Sequence, residues 1–474
     1  MTDAVEQPGA AGAVVEVANP AAPDELVGTV PAATAADVGA ACATAAAAAA
    51  ARAATPAPRR GAALHRAATL LEQRADALAV QLTREEGKTI GEARTEVARA
   101  VGFLRYYGTA AIDACGEVYP SAVPGRHLYT VREPLGVVAA ITPWNFPIAI
   151  PAWKVAPALA FGNAVVLKPS EQTPLSAVAL AEALWESGVP REVLHVVCGN
   201  AREVGGALCA HPAIRALTFT GSTTVGRMLQ RDAVERGLKV QLELGGKNPV
   251  IVLDDADLEQ AVEQTVRGAM MSTGQKCTAT SRVIVTPGIR DAFVEALARR
   301  VASLRVGDPL DPATDIGPLV SQAQRDQVLG YLDAAAREGL SPAVGGGAPE
   351  RPGWFVEPTV YVDVDPDCTL AQEEIFGPVA AVIAAADLEE ALAIANAVPY
   401  GLSASVFTRD LGRAHRFVRG IEAGVVHVNG ETAGTEPQVP FGGMKASSSH
   451  SREQGRAAVE FFTAVKTVYV DMPA

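Results

Sequence analysis

The stretch VVAAITPWNFPIAIPAWKVAPALAFGNAVVLK, residues 137–168, decides the fold. It opens on a short β-branched run, Val137–Ile141, and closes on a second, Ala164–Lys168. Between them lie a turn with two prolines and an apolar segment near 151–162 that predicts a helix. Strand, helix, strand is the unit of a parallel sheet, because parallel neighbours need a crossover between them.

The same alternation continues downstream. The runs Val193–Cys198, Ala216–Thr220 and Lys239–Leu244 are separated by helical segments near 174–187, 201–210 and 223–236. Five strands spaced by helices predict an α/β fold with a doubly wound parallel sheet. Such sheets bind ligands beyond the carboxyl ends of their strands. A second alternating set follows: strand Val250–Leu253, helix Asp257–Met271, strand Arg282–Thr286 and helix Ile289–Leu304. Beyond a Pro/Asp/Gly loop at 307–318 come a helix at Gln322–Glu338, a turn at Gly345–Gly347 and further strands. Thr463–Asp471 reads as extended and β-prone.

Upstream, Gly12–Val17 is a short extended stretch, and Ala35–Arg105 has a helical pattern carried by Leu64, Ala67, Leu71, Leu78 and Leu82. Residues 115–134, with three prolines, predict a hairpin or extended arm. There is no internal repeat, and only the first dozen residues read as disordered.

A chain of 474 residues suits two or three domains, and 49% hydrophobic with 20% charged residues is a globular composition. The net charge of −13 argues against nucleic acid and anionic membrane as main partners, although a local basic pocket can still take an anionic substrate. Six cysteines form no C-x-x-C pair and no regular framework, which predicts reduced thiols in a cytoplasmic protein and no metal site. The acidic N-terminus has no apolar run, so no secretory signal is expected. The run Ala45–Ala51 is far shorter than the roughly 18 apolar residues a membrane span needs.

Five segments carry chemistry. A G-x-G-x-x-G loop is absent at the expected strand ends; Phe219-Thr220-Gly221-Ser222 stands there instead and opens a helix. Gly221 permits close backbone approach and Ser222 can cap the helix, whose N-terminus attracts anions. The same residues also suit an ordinary strand–turn–helix corner. At the end of a strand, Lys168-Pro169-Ser170-Glu171 offers a carboxylate for a ribose diol, or simply a helix N-terminal charge. Glu243, in Leu242-Glu243-Leu244-Gly245-Gly246, interrupts an apolar strand end and is either a satisfied buried group or a base with a raised pKa. Cys277 follows a helix in a polar loop and reads as a nucleophile or as a small buried hydrophobe. Asn145, in the rigid Thr142-Pro143-Trp144-Asn145-Phe146-Pro147 turn, offers an amide donor for an oxyanion.

Together these segments supply a dinucleotide platform, a thiol, a carboxylate and an amide. From about residue 15 onward the chain resembles the NAD(P)-dependent aldehyde dehydrogenase superfamily. The resemblance rests on PWNFP (143–147), KPSEQTP (168–174), FTGST (219–223), LELGGKNP (242–249), GQKCTA (274–279), EEIFGP (373–378) and PFGGMK (440–445). Seven motifs in the right order and spacing make chance resemblance implausible.

The resemblance implies a dinucleotide-binding domain at 1–115 and 135–245, a catalytic domain at 246–445 and an oligomerisation arm at 116–134 and 461–471. It implies attack by Cys277 on an aldehyde, an oxyanion held by Asn145 and the Cys277 N–H, and Glu243 as base for thioester hydrolysis. Lys154 and Glu453 are similar to a pair that supports proton transfer from that glutamate. NAD, with NADP as the alternative, would be held by Ile141, Thr142, Pro143, Trp144, Lys168, Ser170, Glu171, Gly205, Phe219, Gly221, Ser222, Val225, Leu244, Glu374 and Phe376. Lys168 and Glu171 would take the adenosine ribose and Glu374 the nicotinamide ribose, and the Glu171 carboxylate should repel a 2′-phosphate. A homodimer or homotetramer is implied, with the arm and the C-terminal strand meeting across subunits.

For the substrate, Ile148–Lys154, Thr432–Gly434, Val439–Gly443, Lys445, Ser447-Ser448 and Arg452–Gly455 are similar to the 2,5-dioxovalerate (α-ketoglutarate semialdehyde) dehydrogenases. Trp153 stands where succinate-semialdehyde enzymes usually carry an arginine, and Met444 where dioxovalerate enzymes usually do. Arg105, Ser447 and Ser448 are the candidates for a distal carboxylate. Succinate or glutarate semialdehyde and uncharged aliphatic or aromatic aldehydes are the alternative substrates. Two other classes stand beside this reading. A CoA-acylating dehydrogenase is opposed by the presence of Glu243, and a non-catalytic dinucleotide-binding protein by the joint presence of Cys277, Glu243 and Asn145.

Overall fold

The computed structural model describes residues 13–113 and 116–472. The first dozen residues and Cys115 lie outside them. Val14–Asn19 and Ala22–Pro31 form an antiparallel hairpin, followed by four helices, Ala35–Ala54, Ala57–Gln73, Ala75–Glu86 and Ile90–Ala110. Capping boxes start the first and last of these. Thr34 pairs with Asp37 and Thr89 with Glu92, each side chain satisfying the other residue's backbone N–H. Among the described residues no single helix is long and apolar enough to cross a membrane.

The expected parallel sheet has the strand order Leu194–Val196, Ala164–Lys168, Val137–Ile141, Ile214–Thr220, Lys239–Glu243. Every neighbouring pair is parallel. The strand nearest the N-terminus, Val137–Ile141, lies in the middle, and the chain winds outward from it in both directions. Its carboxyl end is therefore the switch point where ligands bind in such sheets. The register aligns Ile141 with Lys168 and with Phe219, and Phe219 with Leu242, so the expected ligand residues end their strands in one row. The strands differ slightly from the sequence expectation. Val193 and Cys198 flank a three-residue strand, and the 201–210 helix opens with one π turn, Ala201–Gly205.

A seven-stranded sheet forms from the second alternating set, with Asn248–Val252, Thr280–Val285 and Val379–Ala384 parallel near its centre. Its residues alternate between two cores. Ile251, Ile284 and Ile383 face one side, and Val250, Val283 and Val382 the other. Both faces are covered, which is why these strands read as continuous apolar runs.

The arm corrects one expectation. Arg126–Pro134 and Thr463–Asp471 pair with each other within the chain, antiparallel, from Thr463 opposite Pro134 to Asp471 opposite Arg126. The helix Gly455–Phe462 packs Ala458, Phe461 and Phe462 into the first core and so delivers the last strand beside the arm. Among the described residues no strand pairs with the outer edge of Thr463–Asp471.

Asn163 ties these parts together. Its Oδ1 accepts from the Leu135 and Gly136 N–H groups at 2.7 and 3.1 Å, and its Nδ2 donates to the Ala158 and Phe462 carbonyls at 3.1 and 2.9 Å. The side chain is fully buried. Asn163→Ala strands the Leu135 and Gly136 N–H groups just before the central strand and the Phe462 carbonyl at the end of the C-terminal helix. It should destabilise the protein by about 2–4 kcal/mol, read as a lowered midpoint of thermal inactivation.

Candidate active site

The helix Leu258–Met270, capped by the Asp257 side chain, leads to Cys277 through a sharp reversal. Ser272, Thr273 and Gly274 are all left-handed, with φ of 54°, 53° and 68°. For the first two this is strained backbone, held by its surroundings. Glu92 Oε1 accepts from the Ser272 N–H at 2.5 Å, and Thr273 Oγ1 donates to the Gly317 carbonyl at 3.1 Å. Gly274 admits no side chain, since a Cβ there would lie 2.1 Å from the Gly377 oxygen. Beyond the reversal, Asn145 Nδ2 donates to the Gln275 carbonyl at 2.9 Å, and Asn248 Nδ2 donates to the Cys277 carbonyl at 2.9 Å. The structure thus brings the expected amide within one residue's reach of the expected thiol segment.

The Cys277 side chain lines a cavity of about 380 Å³, within the range of small-ligand sites. Phe146, Trp153 and Phe441 form an apolar wall, with Trp153 and Phe441 in tilted ring contact at 5.8 Å. Burial, with the Glu243 and Glu374 carboxylates nearby, pushes the Cys277 thiol up to about 12. The resting sulfur is therefore a neutral thiol.

Glu243 ends its strand and is buried. Its Oε2 accepts from Ser448 Oγ at 2.6 Å, while its Oε1 has no hydrogen-bond partner among the described residues. Gly442 leaves room for that oxygen, because a Cβ there would come within 2.6 Å of it. Burial first, and then the Glu453 carboxylate, raise the Glu243 pKa well above the usual carboxylate range, against the pull of Ser448 and Lys154. Glu453 and Lys154 form a buried ion pair. Lys154 Nζ also donates to Thr218 Oγ1 at 2.9 Å, and Thr218 in turn donates to Gln241. Two residues absent from the sequence reading of these roles, Thr218 and Ser448, thus complete the set. Neither carries a sequence signal, because a lone hydroxyl acquires meaning only from its partners.

The expected dinucleotide residues gather at the carboxyl edge of the five-stranded sheet. Thr142, Pro143 and Trp144 leave the central strand after Ile141, and the Thr142 hydroxyl is buried without a partner. Lys168 is buried, and Gly205 opposes it, with space for a Cβ only 3.7 Å from Lys168 Cδ. Ser170 accepts from the Gln172 N–H, and Glu171 beside it is exposed. Phe219 lies under Gly221, and Ser222 caps the Thr223–Glu235 helix at the Val225 N–H. Val225 is exposed, and Leu244 fills the space beside Gly226. Glu374 reaches over from the second sheet and accepts from the Gly246 N–H at 2.9 Å, with burial raising its pKa to about 7. Phe376 has φ of 58° and meets Trp144 edge-on at 5.3 Å. An unpartnered buried hydroxyl, glycines under close approach and an exposed carboxylate on one strand edge fit an extended polar ligand such as a dinucleotide.

Across residues 7–468 the chain matches the model of the aldehyde dehydrogenase family. The chain belongs to this family. It is 48% identical to an alpha-ketoglutaric semialdehyde dehydrogenase of Bacillus subtilis over 97% of this chain and 95% of that one. It is also 48% identical to an alpha-ketoglutarate semialdehyde dehydrogenase of Haloferax volcanii, over 97% and 96%. Among solved structures it is similar to a betaine aldehyde dehydrogenase of Staphylococcus aureus in complex with NAD+, with a TM-score of 0.95, 35% identity and coverage of 98% and 93%. The expected family, fold and oxidoreductase class are borne out.

The three candidates for a distal carboxylate are not. Arg105 pairs with Glu72 on the surface, away from the cavity. Ser447 Oγ bridges the Gly245 carbonyl and the Gly401 N–H, and Ser448 is engaged by Glu243 and the Gly443 N–H. The resemblance of their segment to the dioxovalerate enzymes suggested the serines, but backbone groups and the Glu243 carboxylate occupy them. Among the described residues no cluster of His, Cys, Asp and Glu is arranged to hold a metal.

The neutral thiol makes a direct prediction. Iodoacetamide inactivation of the ligand-free protein should accelerate with rising pH without levelling off near the ordinary thiol value of about 8.5. Peptide mapping of the label should place it on Cys277.

Proposed function

We propose that this protein oxidises an acidic aldehyde, α-ketoglutarate semialdehyde (2,5-dioxovalerate), to the dicarboxylate, with NAD as the cofactor. The observation that carries this reading is a cavity-lining Cys277 with the buried Glu243 carboxylate close enough for its charge to act on the thiol. The names of the 48%-identical relatives support the substrate, and the NAD+ bound in the S. aureus relative supports the cofactor.

Cys277 Sγ attacks the aldehyde carbon and gives up its proton as it does so. Glu243, the foremost charged neighbour of the thiol, is placed to accept it. Asn145 Nδ2, with one N–H committed to Gln275, has a second for the oxyanion, and the Cys277 N–H joins it. When bound, the nicotinamide supplies the acceptor for the hydride lost from the thiohemiacetal carbon, leaving a thioester on Cys277. Glu243 first passes on the proton taken from the thiol; ionised again, its Oε1 takes a proton from the water that hydrolyses the thioester, and Cys277 leaves as the thiolate. A raised pKa suits this work, because a base matched to the operating pH transfers protons best. The proton moves toward the Glu453–Lys154–Thr218 cluster behind it.

Lys168 and Glu171 would hold the adenosine ribose, and Glu374 the nicotinamide ribose. Ile141, Trp144, Phe219, Gly221, Ser222, Val225, Leu244 and Phe376 line the path between. The domain division follows the two sheets, with 1–115 and 135–245 binding the dinucleotide and 246–445 carrying the cysteine. The enzyme works in the cytoplasm as a homodimer or homotetramer. The unpaired edge of Thr463–Asp471, where Val465 and Tyr469 are exposed, supplies the surface for assembly.

An aldehyde panel with NAD and NADP tests the reading. 2,5-Dioxovalerate with NAD should give the highest kcat/KM, and Cys277→Ala should abolish turnover. Turnover surviving in that variant, or a preference for NADP, removes the corresponding part of the proposal. Glu243→Gln should lower kcat by about 100- to 10,000-fold. Mass spectrometry should then find an acyl group on Cys277.

A further inference from the structure

The proposed substrate carries a carboxylate at the end away from its aldehyde, and that charge needs a counter-ion once it leaves water. The helix Ile90–Ala110 presents Glu92, Thr95, Glu96 and Arg99 to the cavity that holds Cys277. Their spacing places all four on one face.

The acids lining the cavity already have partners. Glu92 accepts from the Thr89 and Ser272 N–H groups. Glu96 accepts from Lys88 at 2.6 Å and from the Ile148 and Ala149 N–H groups. Glu263 is paired with Arg300 at 2.9 Å, and Asp315 accepts from the Arg305 N–H. Glu431 lies 3.8 Å from both Arg267 and Lys276.

The cations of the lining are thereby engaged as well, with one exception. Arg99 makes no hydrogen bond or ion pair with any described residue. It is half-buried, and Lys276, next to Cys277 in the chain, lies close enough to feel its charge. An unpaired guanidinium on the wall of a cavity is a fork matched to a carboxylate.

We propose that Arg99 receives the distal carboxylate of the substrate and thereby selects acidic aldehydes. This rests on the aldehyde dehydrogenase reading of the cavity. It assigns the task to a residue on the cavity helix, in place of the arginine that Trp153 lacks. A quaternary-ammonium aldehyde would bring a second cation to Arg99 and should be a poor substrate.

The test compares 2,5-dioxovalerate, pentanal and betaine aldehyde on the wild type, Arg99→Met and Arg99→Lys. The wild type should prefer 2,5-dioxovalerate. Arg99→Met should raise its KM by about 10- to 100-fold, the loss of one charged hydrogen-bonded pair, with kcat nearly unchanged. Pentanal kinetics should not move, which also reports that the variant is folded. Arg99→Lys should recover part of the loss. A readout free of turnover is protection of Cys277 from iodoacetamide by the product, 2-oxoglutarate, which should hold in the wild type and vanish in Arg99→Met. Equal effects on both aldehydes, or unchanged KM and protection in Arg99→Met, overturn the role of Arg99 and leave the enzyme assignment standing. A wild type that prefers pentanal or betaine aldehyde overturns the acidic substrate and Arg99 together. A wild type that oxidises no aldehyde overturns the enzyme assignment.

Discussion

Three carboxylates within twelve residues, Glu85 and Glu96 buried and Glu92 half-buried, fasten turns that serve both sheets. Glu85 accepts from the Leu175 and Ser176 N–H groups, at the start of the Pro174–Glu186 helix. Glu96 accepts from the Ile148 and Ala149 N–H groups, at the start of the Ala149–Ala160 helix. Glu92 accepts from Ser272, at the reversal that leads to Cys277. Backbone N–H groups at helix starts have no partner within the helix, and burying them unpaired is costly. These carboxylates supply the partners and favour the positive ends of the helices. Lys88 sits among them, donating to Glu96 and to the Asn145 carbonyl. The amide-bearing turn and the thiol-bearing turn are thereby fastened to one short segment.

That arrangement is expensive in isolation. Burial pushes the Glu85 carboxyl up to about 7 and Glu86 to about 8. Buried charge is tolerated where hydrogen bonds and an opposite charge surround it, and removing one partner leaves the others exposed to the full cost. The same physics recurs at Glu243, which is buried close to the Glu453–Lys154 ion pair. In the first cluster the charges fix geometry. In the second, Glu243 Oε1 and Glu453 Oε2 have no partner among the described residues, and the Glu243 oxygen is the one proposed to work as a base.

Much of the fold was legible because parallel strands buried on both faces read as apolar runs, and the helices between them keep a 3.6-residue period. Cys277, Glu243 and Asn145 were legible because each breaks its local pattern, as a thiol in a polar loop, a carboxylate at an apolar strand end and an amide between prolines. The partners of Glu243 were harder. Ser448 read as a substrate contact through the resemblance of its segment, whereas in the fold a carboxylate and a backbone N–H occupy it. Arg99 was invisible, since one arginine on an amphipathic helix resembles any solvated charge until the occupancy of its neighbours is known.

The sequence by itself determined the winding of the sheets, the family and the candidates for the reacting groups, because strand–helix alternation and chemically unusual residues are local properties. Only the tertiary structure decided which hydrogen-bonding groups are already spent. It paired the arm with the C-terminal strand inside one chain, committed Ser447, Ser448 and Arg105 elsewhere, and left Glu243 Oε1 and the Arg99 guanidinium without partners among the described residues. Satisfaction of a polar group depends on residues tens to hundreds of positions away, and no local pattern encodes it.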